Sequence, residues 1–237
     1  PHANKAPTAQ LLATKNHLFL IDCGEGTQVL LRKAKVKFTD IKHIFISHLH
    51  GDHFYGLPGL ISTFRLLGRK APMHIYGPKG IKEAITLLLK LAKSWTNYPL
   101  HFHELTEKSS VCLLAEDEIE VYTIPLKHRV YTNGFLFRET PKDRKINAEA
   151  VEQYQIDHSH MLNLKKRKDV VNAHGNTIAN QEVTHDPRPP KSYAFCSDTA
   201  YHPEMVDQIQ RVDVLYHEAT FLNCLLYTSP SPRDAIP

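Results

Sequence analysis

His48, His50, Asp52 and His53 stand within six residues of one another and offer three imidazoles and a carboxylate to a cation. Nitrogen and carboxylate donors suit zinc, and a catalytic zinc site keeps one position open for water. In extended chain His48 and His50 point the same way, because side chains alternate along a strand. Gly51 is expected to permit a sharp turn. Asp52 and His53 then aim at a neighbouring point, so one strand end can feed two ions. A single histidine beside a strand is ordinarily a solvated polar residue. Four ligand-type residues in the order His-x-His-x-Asp-His, straight after an apolar run, are not accounted for that way. The His-Glu-x-x-His pattern of helical zinc proteases is absent.

These residues need elements that hold them still. The apolar run over 41–46 predicts a buried strand that ends at the first ligand. Residues 9–13 and 17–22 predict a β-hairpin turning at Lys15-Asn16, with Asp22 closing its second strand. Residues 27–34 predict a short helix. Leu60, Ile61, Phe64 and Leu67 recur at helical spacing, and Gly68 is a stop. A short strand over 73–76 precedes an amphipathic helix over 81–93, with Ile81, Ile85, Leu88 and Leu89 inward. Residues 100–105 form a strand with His101 and His103 on one face. No Asp-His pair follows them, so they read as a solvated strand face. Strands over 111–114, 118–124 and 133–138 come next, and His128 lies just beyond the second of these. A buried strand over 192–196 ends at Asp198, where a carboxylate can face two ions. A short helix over 203–210 and a strand over 213–216 lead to His217-Glu218. Strands alternating with helices predict a layered α/β fold.

Residues 141–190 differ in character. Residues 146–154 can form a helix, and the rest is polar, basic and poorly periodic. Lys165, Lys166, Arg167 and Lys168 make the densest charge cluster in the chain. Most charge runs are solvated surface, and this one is also suited to phosphates. His158 and His160 read as non-ligands.

Length and composition fit one soluble globular domain. The chain has 237 residues, 42% hydrophobic and 23% charged, with a formal net charge of +4. That mild basicity is compatible with a polyanionic partner. The four cysteines, Cys23, Cys112, Cys196 and Cys224, have no paired spacing and read as reduced thiols. No apolar stretch is long enough to span a membrane and no signal peptide is present, so an intracellular protein is expected.

Four segments together narrow the reading: Asp22-Cys23-Gly24-Glu25-Gly26-Thr27-Gln28, Ser47-His48-Leu49-His50-Gly51-Asp52-His53, Phe195-Cys196-Ser197-Asp198-Thr199 and His217-Glu218-Ala219-Thr220-Phe221. From about residue 8 to 221 the chain resembles ribonuclease Z, the tRNA 3′-processing endonuclease family of the metallo-β-lactamase superfamily. The resemblance implies an αββα sandwich of two mixed sheets flanked by helices. It also implies that the chain is truncated at both ends, with no match for the family's first strand or for its final zinc-binding histidine. Residues 1–223 are then one hydrolase domain, with 141–190 as an inserted tRNA-binding arm that lacks the family's Gly-Pro pair. Residues 224–237, rich in Ser and Pro, read as a non-native tail.

The same resemblance implies two Zn²⁺ ions per subunit. His48, His50, His128 and Asp198 would hold the first, and Asp52, His53, Asp198 and the unmatched histidine the second. Asp22 and His217 would support the ligands. Asp52 would orient or deprotonate the attacking water, and Glu218 would help protonate the leaving oxygen or serve as a structural ion-pair partner. Lys165, Lys166, Arg167 and Lys168 would hold tRNA phosphates. A precursor-tRNA substrate, a homodimer and a cytoplasmic location follow from the family. With one ligand unmatched, weak second-metal binding and little activity are expected of this chain. The competing readings are another binuclear metallohydrolase (a phosphodiesterase, sulfatase or lactonase) and a non-catalytic RNA-binding fragment.

Overall fold

A short run of mostly buried residues leaves a chain little choice but a central strand. Ile41–Phe45 is such a run, and four of its five side chains are buried. The computed structural model, which describes residues 6–116 and 118–218, builds one sheet around it. In chain order the elements are β1 (Gln10–Ala13), β2 (Leu18–Ile21), α1 (Thr27–Lys33), β3 (Ile41–Phe45), α2 (Gly51–Phe54), α3 (Leu57–Leu66), β4 (Met73–Pro78), α4 (Ile81–Leu91) and β5 (Leu100–Leu105). There follow β6 (Cys112–Glu116), β7 (Ile119–Pro125), β8 (Asn133–Glu139), β9 (Lys145–Ile146), α5 (Ala148–Gln153), α6 (Met161–Lys165), β10 (Val170–Val171) and β11 (Thr177–Ile178). The last are α7 (Asn180–Val183), β12 (Thr184–His185), β13 (Ser192–Cys196), α8 (Val206–Ile209) and β14 (Val214–His217). The first sheet has the order β1-β2-β3-β4-β5, antiparallel at β1/β2 and parallel thereafter. The second has the order β14-β13-β8-β7-β6, with β13 and β14 parallel.

Alternation decides what each face of the first sheet meets. Leu20, Ile44, Ile46 and Ile75 point to the side where α1, α3 and α4 bury Leu31, Leu60, Phe64, Ile81 and Ile85. Phe19, His43, Phe45, His74 and Tyr76 stack on the other side. There Phe45 meets Phe135 of β8, with ring centroids 5.3 Å apart. The expected two mixed sheets with helices are present. One expected core residue is not: Leu88 is 46% exposed. Helix α4 buries the narrow stripe Ile81, Ile85, Leu89 at intervals of four, and Leu88 falls on its flank.

The chain divides into two compact units, one of them made of Leu114–Glu120 and Phe137–Ser192. Taken alone, that unit has its own apolar core of Val151, Ile156, Leu164, Val170, Ile178 and Val183. The segment expected to be poorly periodic is thus ordered, through elements of two to six residues that are too short to show a period. The helix expected over 146–154 begins later. Ile146 pairs with Thr184 in the β9/β12 ladder. Asn147 caps the helix, its Oδ1 accepting from the Ala150 amide at 3.2 Å. Buried Arg144 donates to Thr184 Oγ1 at 2.5 Å and to the Asp186 carboxylate. Lys165, Lys166, Arg167 and Lys168 are all exposed.

His43 carries a pH dependence. Burial, followed by the neighbouring His74, His17, Lys42 and His103, lowers its pKa from 6.5 to about 4. Between those values the unfolded chain binds the extra proton, so its contribution to stability is complete above about pH 6.5 and falls away toward pH 4. After allowance for solvent screening this is worth roughly 1–2 kcal/mol. Denaturant titrations of the wild type at pH 7 and 4.5 should show that loss, and His43→Phe should flatten it. An equal slope in the variant would assign the acid sensitivity elsewhere.

Candidate metal centre

The chain leaves β3 at Phe45, and two residues later His48 is fully buried. Its Nε2 lies 2.9 Å from Nδ1 of His50, and Nε2 of His128 lies 3.4 Å from that same nitrogen. Asp198 brings Oδ2 to 3.8 Å from His48 Nε2. One donor atom from each of these four residues lies within 4.8 Å of all the others. Two nitrogens bound to one ion at about 2.0–2.1 Å stand roughly 2.9–3.3 Å apart at right or tetrahedral angles. The two nitrogen–nitrogen spacings are close to that arrangement, and the Asp198 oxygen stands wider, at 3.8 Å.

A second donor set sits beside it. His53 is buried, and its Nε2 makes no hydrogen bond. That nitrogen faces Asp198 Oδ1 at 3.6 Å and Asp52 Oδ2 at 3.8 Å. Leaving a buried polar atom unsatisfied costs about 1–3 kcal/mol. A cation held by His53, Asp52 and Asp198 removes that penalty. Asp198 thus presents one oxygen to each group of histidines. The residues of the first set fit a divalent cation.

The other nitrogens of these rings are fixed from behind. Fully buried Asp22 accepts from the Ser47 amide at 2.8 Å, from Ser47 Oγ at 2.9 Å and from His53 Nδ1 at 2.7 Å. Ser47 Oγ in turn lies 3.0 Å from His48 Nδ1. A carboxylate only accepts, so His53 carries its proton on Nδ1, and Nε2 keeps a lone pair for a cation. Burial pushes Asp22 up, against the His53 and Ser47 hydrogen bonds. Burial also pulls His53 down, but the Asp22 bond and charge, with Asp198 and Asp52, outweigh it and raise the ring. His48 is held far below its ordinary value by burial and by His53. His50 is lowered by burial, His128 and Arg129. Neutral imidazole is the form that binds metal.

The backbone explains the spacing of these residues. The Asp22 amide donates to Phe45 O and the Cys23 amide to His53 O, both at 2.7 Å. The Gly56 amide donates to Cys23 O at 2.9 Å. The Asp22 segment therefore clamps both ends of the ligand loop. Asp22 has φ +55°, a region aspartate enters more readily than most residues. Gly51 is not the expected sharp turn, since it opens the short helix α2. It is needed for room: a Cβ there would lie 2.3 Å from a ring carbon of Tyr55.

The loops carrying His128 and Asp198 are tied together. The Lys127 amide donates to Thr199 Oγ1 at 3.2 Å, and the Ala200 amide to Lys127 O at 2.6 Å. Glu218 accepts from the Thr199 amide through Oε1, and so holds the turn that presents Asp198. His217 is exposed and bonds the Glu218 carbonyl at 2.6 Å through Nδ1. All six sequence-selected ligands, with Asp22 and Glu218, therefore converge on one end of the sheets. Lys165, Lys166, Arg167 and Lys168 belong to the other unit. Residues beyond 218, which include the expected non-native tail, lie outside the described residues. Sequence reasoning missed Ser47 and Arg129, whose Nη2 lies 3.3 Å from His50 Nε2. The signal for Ser47 was a small hydroxyl placed between a buried strand and the first ligand.

Comparison with known proteins agrees with this geometry. Residues 3–226 match the model of the family described as Anti-Pycsar protein Apyc1. The chain is 43% identical over 221 residues to ribonuclease Z of Bacteroides fragilis strain YCH46, covering 93% of this chain and 73% of that protein. It is 42% identical over 224 residues to ribonuclease Z of Parabacteroides distasonis, covering 94% and 74%. Among solved structures, human tRNase Z, short form, superposes with a TM-score of 0.52 at 27% identity, over 68% of this chain and 79% of that one. Covering 93–94% of this chain and 73–74% of their own length, the ribonuclease Z relatives show that the chain belongs to the ribonuclease Z family of metal-dependent endoribonucleases, built on the metallo-β-lactamase fold.

Proposed function

We propose that this protein is a zinc-dependent endoribonuclease that removes the 3′ trailer from precursor tRNA, leaving a 3′-hydroxyl on the tRNA and a 5′-phosphate on the trailer. The observation that carries the reading is Asp198, whose two oxygens face His48 Nε2 and His53 Nε2 separately. His48, His50, His128 and Asp198 would hold one Zn²⁺, and Asp52, His53 and Asp198 the other. Such ions supply Lewis acidity toward a phosphodiester and lower the pKa of water toward neutrality. Asp52, 36% exposed, is the carboxylate placed to accept the proton of the attacking water. Asp22 keeps the histidines aimed. Glu218 stands beside the Asp198 turn, where it can also protonate the leaving oxygen.

Lys165, Lys166, Arg167 and Lys168 form an exposed basic helix end suited to tRNA phosphates, a contact that gives salt-sensitive, sequence-independent affinity. A homodimer is supported by apolar side chains left open on adjacent helices: Val29 and Leu30 on α1, Leu66 on α3, and Leu88 and Leu91 on α4. No helix among the described residues is long and apolar enough to cross a membrane. A cytoplasmic location goes with the substrate.

Purified protein should cut a precursor tRNA at the 3′ boundary, at a low rate because one second-site ligand is unmatched, lose that activity to a chelator and regain it with Zn²⁺. Metal analysis should find two ions at the centre built on His48 and His53, the second held more weakly than the first. A second reading is hydrolysis of small phosphodiesters by the same centre; the matching family model is described as Anti-Pycsar protein Apyc1 and not as a ribonuclease. Two bound ions with turnover of cyclic nucleotides or small esters only would establish it. Chelator-insensitive tRNA binding without cleavage would instead mark a non-catalytic RNA-binding protein.

A further inference from the structure

Three adjacent parallel strands place histidines in one row. His43 of β3 is in register with His74 of β4, and His74 with His101 of β5. One step along, Tyr76 is in register with His103. Their rings stack: His43 on His74 at 5.2 Å, His74 on His101 at 4.9 Å and Tyr76 on His103 at 4.3 Å. His74 is the centre of the group, because its Nδ1 also lies 3.1 Å from Nε2 of His103, with the two rings only 21° from coplanar. His43 is buried, His74 half-buried, and His101 and His103 exposed. The row is therefore open to solvent at the β5 edge.

We propose that His74 Nδ1 and His103 Nε2, with His101 as a third donor, form a binding site for a divalent transition-metal ion, separate from the centre built on His48 and His53. The spacing carries the argument. Two imidazole nitrogens on one zinc or copper ion stand roughly 2.9–3.3 Å apart, and these two stand 3.1 Å apart. In the metal-free pair one ring must donate an N–H to the other. An ion takes the place of that shared proton, which leaves to solvent, and each ring turns by roughly 40° to bring its lone pair onto it. His101 stacks on His74 with ring centroids 4.9 Å apart, and water completes the coordination shell. Burial, with His74 and His101 nearby, holds His103 below its ordinary value, so the neutral ligand form prevails at neutral pH. Tyr76 and His43 pack against the rings and limit how they turn. No residue of this site belongs to the proposed catalytic centre, so it stands or falls independently of the enzymatic reading.

The test is equilibrium dialysis of the full chain against Zn²⁺, with metal counted per chain in wild type and in His101→Gln/His103→Gln. The double variant is expected to hold one ion fewer. An equal metal count in both proteins overturns the site. Histidine-selective labelling of the wild type, read by mass spectrometry with and without Zn²⁺, answers the question even if the variant misfolds. Zinc should suppress labelling of His74 and His103, and unchanged labelling of both overturns the proposal.

Discussion

Asp198→Ala should abolish cleavage, lowering kcat/KM by about a thousandfold or more, because the carboxylate serves both donor sets at once. The residue ends β13, whose Ala194, Phe195 and Cys196 are fully buried, so its position is set by the core. Its two oxygens lie 3.8 Å from His48 Nε2 and 3.6 Å from His53 Nε2. Removing it takes one ligand from each site and takes away the negative charge that offsets two neighbouring cations. Metal analysis should therefore show both sites weakened together, whereas loss of His128 should weaken only the first. The fold should survive, since Asp198 contributes no apolar packing and its turn is still held by Glu218 and Lys127. Two tightly bound ions in a folded but inactive variant would show that Asp198 acts on substrate rather than on metal.

How much of this was legible in advance depends on the range of the interaction. His48, His50, Asp52 and His53 are close in sequence and follow a strand whose apolar run is unmistakable, so local pattern alone brought them together. His128 and Asp198 are individually weak signals. They became candidates through strand ends and a family resemblance, and the structure brings them to His48 across two loops joined by the Lys127 and Thr199 hydrogen bond. The small core around Leu164 and Val183 was not legible. Its ladders are two residues long, and its stability rests on polar contacts such as Asn180 Nδ2 to Leu164 O at 2.8 Å, which leave no period in the sequence. Nor was the histidine row. His101 and His103 read as a solvated strand face because the partner that matters, His74, lies across a parallel pairing whose register no local pattern reveals.

Asp22→Asn should be nearly as damaging as Asp22→Ala, an outcome that shape alone does not predict. The two side chains are the same size, and asparagine could still accept from the Ser47 amide through its one oxygen. Its amide nitrogen would then face Ser47 Oγ and His53 Nδ1, where the native carboxylate oxygen accepts from both. An N–H in that place forces His53 Nδ1 to become the acceptor. The ring proton moves to Nε2, the buried nitrogen that faces Asp52 and Asp198, and the lone pair for the second cation is gone. The same reversal reaches His48 through Ser47, whose hydroxyl can no longer donate to residue 22 while it accepts from the His48 ring. Outer partners of ligating histidines are typically worth 10–100-fold in metal affinity or activity, and about the upper end of that range is expected here because two rings are affected. Zinc titrations of the two variants, alongside thermal unfolding, separate the effects. Both should unfold cooperatively and bind the second ion at least about tenfold more weakly than wild type. If Asp22→Asn binds two ions with native affinity while Asp22→Ala does not, the residue fills space, and the tautomer argument fails.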